Sequence, residues 1–147
     1  MEIQEATELD INAIVKFGRY FHEIADYAKF QKYADQGFAK MLYDVIMNPN
    51  AKIWVAWDGN SLAGTIMGMI IPNFYDPSQI MADCGFVAVL PKYGRKHIGK
   101  KLRNAFEVWA KEMKADIKMY SGYNPKFITA LKREGFIQTE VTLMKET

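Results

Sequence analysis

The chain has 147 residues, of which 50% are apolar and 24% charged, so it can bury a full-sized core as one domain. Its 19 basic and 17 acidic residues leave a formal net charge of +2, so bulk charge does not mark a nucleic-acid binder. A lone cysteine, Cys84, excludes an intrachain disulfide framework, and two distant histidines, His22 and His97, offer no metal-ligand spacing.

Residues 1–5 lack the basic and apolar regions of a signal peptide, and no apolar run approaches the roughly 20 residues that cross a bilayer. The expected location is therefore cytoplasmic. Residues 2–5 suit a short strand. Thr7-Glu8-Leu9-Asp10 has the form of a helix start, with Thr7 as cap and Asp10 in the first turn. Ile11, Ile14, Val15, Phe21 and Ile24 then recur at roughly helical spacing; Gly18 and the aromatic, charged stretch 19–33 leave the end of this helix open. A second helix is expected from 35 or 36 to 47, with Phe38, Met41, Leu42, Val45 and Ile46 on its apolar face, stopped by Asn48-Pro49-Asn50.

The pattern then changes to strands. A β-rich run at 52–57, the turn Asp58-Gly59-Asn60 and an apolar run at 62–71 make a hairpin. After a loop at 72–77, a third long strand is expected at 79–89. The clearest helix runs from 98 to about 113, with Ile98, Leu102, Ala105, Phe106, Trp109 and Met113 on one face. A short strand at 117–120, a helix at 124–134 closed by Gly135, and a final strand at 137–144 complete the chain. The order βααβββαβαβ implies an α/β fold: a mixed sheet with helices on both faces, in a single domain over 1–147.

The most informative stretch is Val89-Leu90-Pro91-Lys92-Tyr93-Gly94-Arg95-Lys96-His97-Ile98-Gly99-Lys100-Lys101-Leu102. A strand that feeds a loop and then opens a helix gathers free backbone N–H groups at one point, beside the positive end of the helix dipole. Arg95, Lys96, His97 and Lys100 surround that point, which makes it a phosphate cradle. The alternative uses are a solvated basic turn or a nucleic-acid patch.

The order and the cradle together resemble the GCN5-related N-acetyltransferase (GNAT) superfamily over almost the whole chain. Residues 89–102 are similar to the family's V-x-P-x-Y-R-G-x-G-I-G-x-x-L segment; Val89, Pro91, Tyr93, Lys96, Ile98, Gly99 and Leu102 match without a gap. Residues 124–136 are similar to its N-P-x-A-I-x-x-Y-E-K-x-G-F segment through Asn124, Pro125, Ile128, Gly135 and Phe136. The resemblance implies that the fourth and fifth strands splay and that the pantetheine arm of acetyl-CoA lies along the edge of 86–90, including Val87 and Val89. It implies pyrophosphate on the loop of Gly94, Arg95, Lys96, His97, Ile98, Gly99 and Lys100, with Asn124 reaching the cofactor from the other side. Three positions depart from the pattern. Gly94 stands where the family has an Arg or Gln and supplies no side chain, a role left to adjacent Arg95. His97 stands at the family's middle glycine and lacks glycine's freedom at positive φ, so a loop that is reshaped or that holds the phosphates more weakly is expected. Leu131 stands where many members carry a tyrosine that protonates the leaving thiolate.

The implied activity is transfer of an acetyl group from acetyl-CoA to a primary amine of a small molecule or protein, by direct attack. The alternative is a non-catalytic acyl-CoA-binding or protein-interaction module on the same fold. Asp83, on the strand leading to the cradle, is the candidate base or else a polar strand residue facing solvent. Cys84 reads as a small core residue rather than a nucleophile. Tyr120 and Tyr123 are candidate acids in place of the missing tyrosine, or aromatic packing. His22, Glu23, Asp26, Tyr27 and Tyr33 are candidates for a cationic acceptor, His22, Glu23 and Tyr27 foremost; the alternative is an amphipathic helix continuing past Gly18. The methionines on apolar segments read as core. The expected partners are acetyl-CoA or CoA and an amine acceptor, with a homodimer possible in such a family and no metal, membrane or nucleic acid.

Overall fold

The computed structural model describes residues 1–122 and 124–147, and Tyr27 by its backbone alone. Five strands form one sheet in the order β1-β2-β3-β4-β5: β1 is Ile3–Glu5, β2 Ala51–Asp58, β3 Ser61–Pro72, β4 Ile80–Val89 and β5 Ile117–Tyr120. The first four are antiparallel neighbours, and β5 runs parallel to β4. Helices α1 (Ile11–Ile24) and α2 (Asp35–Met47) follow β1, α3 (Ile98–Glu112) joins β4 to β5, and α4 (Pro125–Arg133) follows β5. The expected mixed sheet with helices on both faces is present.

The entry to α1 is fixed by a reciprocal cap. The Thr7 N–H donates to Asp10 Oδ2 at 2.8 Å, and Thr7 Oγ1 accepts from the Leu9 N–H at 3.3 Å. The helix runs through Gly18 without a break. A Cβ there would lie 2.9 Å from both Phe38 Cε1 and Tyr33 Oη, so the glycine marks where α1 and α2 touch.

Two apolar layers sandwich the sheet. Ile14, Val15, Phe17, Leu42 and Val45 of α1 and α2 pack on Ile53, Val55 and Met67. On the other face Ile98, Leu102, Phe106 and Trp109 of α3 pack on Trp54, Ile66, Ala82 and Cys84. Close approach of α3 to β3 depends on Gly68, where a Cβ would fall 2.6 Å from Phe106 Cδ2 and 2.8 Å from Trp109 Cζ3. Packing at this density leaves no room for a methyl.

One expected element is corrected. Residues 137–144 form no strand: they pair with nothing in the sheet among the described residues. Their alternation of apolar and polar residues is a strand pattern, but a strand exists only through a partner's hydrogen bonds. Here the segment stands off from β5 across a cleft of about 1140 Å³.

Two glycine substitutions should act in opposite directions. Gly68→Ala forces Phe106 and Trp109 aside and should cost about 1–3 kcal/mol. Gly37→Ala, inside α2 with only ordinary contact to Ala34 Cβ at 3.7 Å, should gain about 0.5–1 kcal/mol. Urea denaturation of the two variants checks both signs.

Candidate active site at the parted strands

β4 and β5 pair from Met81↔Ile117 to Cys84↔Tyr120 and no further. β4 continues to Val89, whereas the chain beyond Tyr120 turns away toward α4. The outer edge of residues 85–89 therefore faces an opening between the strands. A bulge marks the same place: Met67 pairs with Phe86 but Gly68 with Cys84, leaving Gly85 as the extra residue. The bulge exchanges the faces of β4. Ala82 and Cys84 face α3 before it, as do Val87 and Val89 after it, while Phe86 and Ala88 join the α1–α2 layer.

At the end of β4 lies the basic loop, a 3₁₀ turn over Pro91–Lys96 that opens α3. Tyr93 holds it down. Its ring is 3% exposed, and its hydroxyl donates to Asp58 Oδ2 at 2.7 Å, tying the loop to the β2–β3 turn. Lys92 and Lys96 lie over that ring, their Nζ atoms 4.9 and 5.5 Å from its centroid. Arg95, Lys96, His97 and Lys100 are exposed at the α3 N-terminus and make no ion pair among the described residues.

His97 bends the chain at the start of α3. It adopts the left-handed conformation, φ 57° and ψ 23°, that the family's glycine would supply. A left-handed backbone costs a non-glycine residue about 1–2 kcal/mol. Gly94 has nothing within 4 Å of its Cβ position, and Gly99 meets only Val89 Cγ2 at 3.7 Å. A smaller cleft of about 440 Å³ lies beside this loop, between Lys96, Lys101 and the Asp58 turn. It is separate from the parted strands.

The titratable groups divide between the two faces. Asp83 is half-buried in register with Met69 and Met119, and burial, then the nearby Glu140, raises its carboxyl above the ordinary range. Cys84, 2% exposed on the α3 face, has its thiol pushed up to about 12 by burial, then by Asp83. It stays a thiol, as a core residue should. Tyr120 packs edge-on to Phe106, Phe127 and Phe136, and its hydroxyl donates to Glu107 Oε1 at 2.8 Å. Burial first, and then Glu107, raises its pKa, so the phenol holds its proton. Tyr123 lies outside the described residues. Leu131 is buried and offers no proton. Asn124 caps α4, its Oδ1 accepting from the Lys126 N–H at 2.9 Å, which leaves its amide NH₂ free to donate. Arg103 grips Glu134 through two hydrogen bonds, 2.6 and 3.1 Å, and so ties α4 to α3.

Of the candidate acceptor residues, the structure brings His22 and Tyr33 into contact. His22 Nε2–H donates to the Gln31 carbonyl at 2.6 Å, and its ring lies 5.3 Å from that of Tyr33. His22 therefore fastens the α1–α2 connection. Glu23 follows it on the helix and points elsewhere, because adjacent helical residues do not face one another. Tyr33 donates its hydroxyl to the Val15 carbonyl, and the Arg19 guanidinium lies 4.8 Å over its ring. Asp26 lines the large cleft, together with Tyr120 and Glu140. The side chain of Tyr27 lies outside the described residues. Sequence reasoning missed the anchor Asp58 and the carboxylates Glu107 and Glu140, since nothing in their local pattern marks a contact so distant in sequence.

Residues 19–126 match the Acetyltransferase (GNAT) family, and the chain belongs to that family. No curated protein matches the sequence. Among solved structures, a transcriptional regulator from Bacillus halodurans C-125 superposes with a TM-score of 0.79 at 18% identity, covering 99% of each chain. An aminoglycoside 6'-N-acetyltransferase from Acinetobacter haemolyticus gives 0.75 at 16% identity, covering 100% of this chain and 98% of its own. Another aminoglycoside 6'-N-acetyltransferase, solved with a CoA-S-monomethyl-acetylneamine bisubstrate analogue, gives 0.76 at 12%, covering 99% and 97%. At these identities the likeness establishes the fold.

Two substitutions test the electrostatics and the loop. The raised Asp83 carboxyl means that the folded state binds more protons than the unfolded state above the ordinary value of 3.8. Stability conferred at this position is therefore full below that value and falls as pH rises through the folded pKa. Asp83→Asn should accordingly be more stable than the parent at pH 7, with the difference shrinking toward pH 4 in thermal melts. His97→Gly removes the strained side chain and should be stabilised, by up to about 1 kcal/mol after glycine's own entropic cost.

Proposed function

We propose that this chain is an N-acetyltransferase that takes acetyl-CoA as co-substrate and transfers the acetyl group directly to a primary amine. The single observation behind this reading is the parting of β4 from β5 at Cys84 and Tyr120, directly upstream of an unpaired basic loop. The free edge of 85–89 has the length and hydrogen-bonding character to take the amide-bearing pantetheine as a further strand. The N–H groups at the start of α3, with Arg95, Lys96 and Lys100, suit a pyrophosphate.

In the proposed reaction the neutral amine nitrogen attacks the thioester carbonyl carbon, a C–N bond forms, and the C–S bond breaks to release the CoA thiolate. Asp83 is the proposed base. Its raised pKa brings it nearer to the amine's and makes it a better proton acceptor than an exposed carboxylate. Tyr120 is the proposed donor to the thiolate, and it must release Glu107 to act. The acidic groups Asp26, Asp83 and Glu140 favour a cationic amine as acceptor. The burial of Leu131 favours the second reading, a module that binds acyl-CoA without turnover.

Calorimetric titration of acetyl-CoA and CoA tests the first half. Binding should be weakened at least about tenfold by Arg95→Ala/Lys96→Ala, the loss of one or two charge-assisted contacts. Release of free thiol across an amine panel tests the second half. Asp83→Asn should lower kcat by about 10²–10⁴-fold and remove the acidic limb of the pH profile. Tyr120→Phe should lower kcat with KM little changed. Binding without turnover for any amine would select the second reading; absence of binding would defeat both.

A further inference from the structure

The cleft of about 1140 Å³ beside β5 is far larger than an acetyl group requires. It reaches the parted strands: Tyr120 is the last residue of β5 to pair with β4, and Tyr120, Ser121 and Gly122 all line the cleft. From there it extends between β5, α4 and residues 137–144.

Much of its wall is carbon. Ile117, Ile128, Leu131, Phe136, Ile137 and Leu143 supply it. Leu131 stands where many family members carry a tyrosine, so a branched alkyl group takes the place of a phenol in this wall. Ile137 is 85% and Leu143 90% exposed, and an apolar occupant of the cleft removes such surface from water. The carboxylates of the wall are largely engaged. Glu107 is held by the Lys118 ammonium at 2.9 Å and the Tyr120 hydroxyl at 2.8 Å, Glu134 by Arg103 at 2.6 Å, and Asp26 by Lys29 at 2.9 Å. Glu140 bears on Asp83, where the amine is expected, and Lys132 is exposed.

We propose, resting on the acyl-transfer reading above, that this cleft holds the acyl chain of the thioester and that the preferred donor is a medium-chain acyl-CoA. The direction follows from the two ends of the cofactor. With pyrophosphate on the basic loop and pantetheine along 85–89, the sulfur comes to the end of the pairing at Cys84 and Tyr120. Carbons beyond the thioester carbonyl must pass that point, and the cleft lies there. The bonds made and broken are those of acetyl transfer. The amine nitrogen joins the acyl carbon and loses a proton; the C–S bond breaks, and the CoA sulfur takes a proton and leaves as the thiol. Each methylene moved from water into the cleft raises affinity about fourfold, until the chain outgrows the space.

Calorimetric titration of CoA and of acetyl-, butyryl-, hexanoyl- and octanoyl-CoA into the full chain tests it. Affinity should climb about fourfold per methylene from acetyl to hexanoyl, on the order of two-hundredfold in all. Ile137→Asp/Leu143→Asp should flatten the climb and leave the affinities for CoA and acetyl-CoA unchanged. Both residues are exposed and lie outside the pantetheine edge and the basic loop, so their change leaves the core intact. A climb that survives the double substitution would put the chain elsewhere and overturn the proposal. Equal affinity for acetyl-CoA and hexanoyl-CoA would also overturn it, and would leave the acyl-transfer reading standing. No binding of CoA itself would defeat that reading and the proposal with it.

Discussion

β4 and β5 share four register pairs, and the pairing stops at Cys84 and Tyr120. That limit organises the rest of the molecule. Parallel strands normally continue together, because each unpaired backbone group costs free energy once it is removed from water. Here two features end the pairing. The Gly85 bulge re-aims β4, and Tyr120 is held against α3 by Glu107 and Phe106 and against the α4 side by Phe127 and Phe136. The chain beyond Tyr120 must then leave the sheet. The result is an edge inside the fold that is available to a ligand shaped like a strand, which is what the proposed pantetheine site requires.

The loop at the end of that edge is held by means other than its own sequence pattern. The Tyr93–Asp58 hydrogen bond fastens it to a turn far away in sequence, and His97 accepts a left-handed backbone in order to open α3. The cationic side chains are left unpaired around the helix N-terminus. An arrangement that tolerates local strain and concentrates like charge is costly for folding and useful for holding an anion. In this chain a net charge of only +2 and a basic loop are compatible, because the carboxylate at the loop, Asp58, is engaged by the Tyr93 hydroxyl and makes no ion pair with the loop cations.

Periodicity made most of the fold legible. The α3 stripe of Ile98, Leu102, Phe106 and Trp109 and the hairpin around Asp58-Gly59-Asn60 are local signals, and the structure follows them. The loop at 89–102 was legible because its residues are consecutive. The site beyond the loop was not, because its members come from separate elements. Glu107 looked like one more solvated charge on a helix, yet it fixes Tyr120; Glu140 sat in an expected strand, yet it bears on Asp83. The expectation for 137–144 failed for a related reason. Alternation reports what a segment does when given a partner, and says nothing about whether this chain supplies one.

The most direct test of the central claim is amide hydrogen exchange with and without CoA, read residue by residue. The account predicts new protection along 86–90 and at Ile98, Gly99 and Lys100, with β2 and α2 unchanged. Protection absent from both segments, or confined to the cleft beside Lys101 and the Asp58 turn, would contradict it.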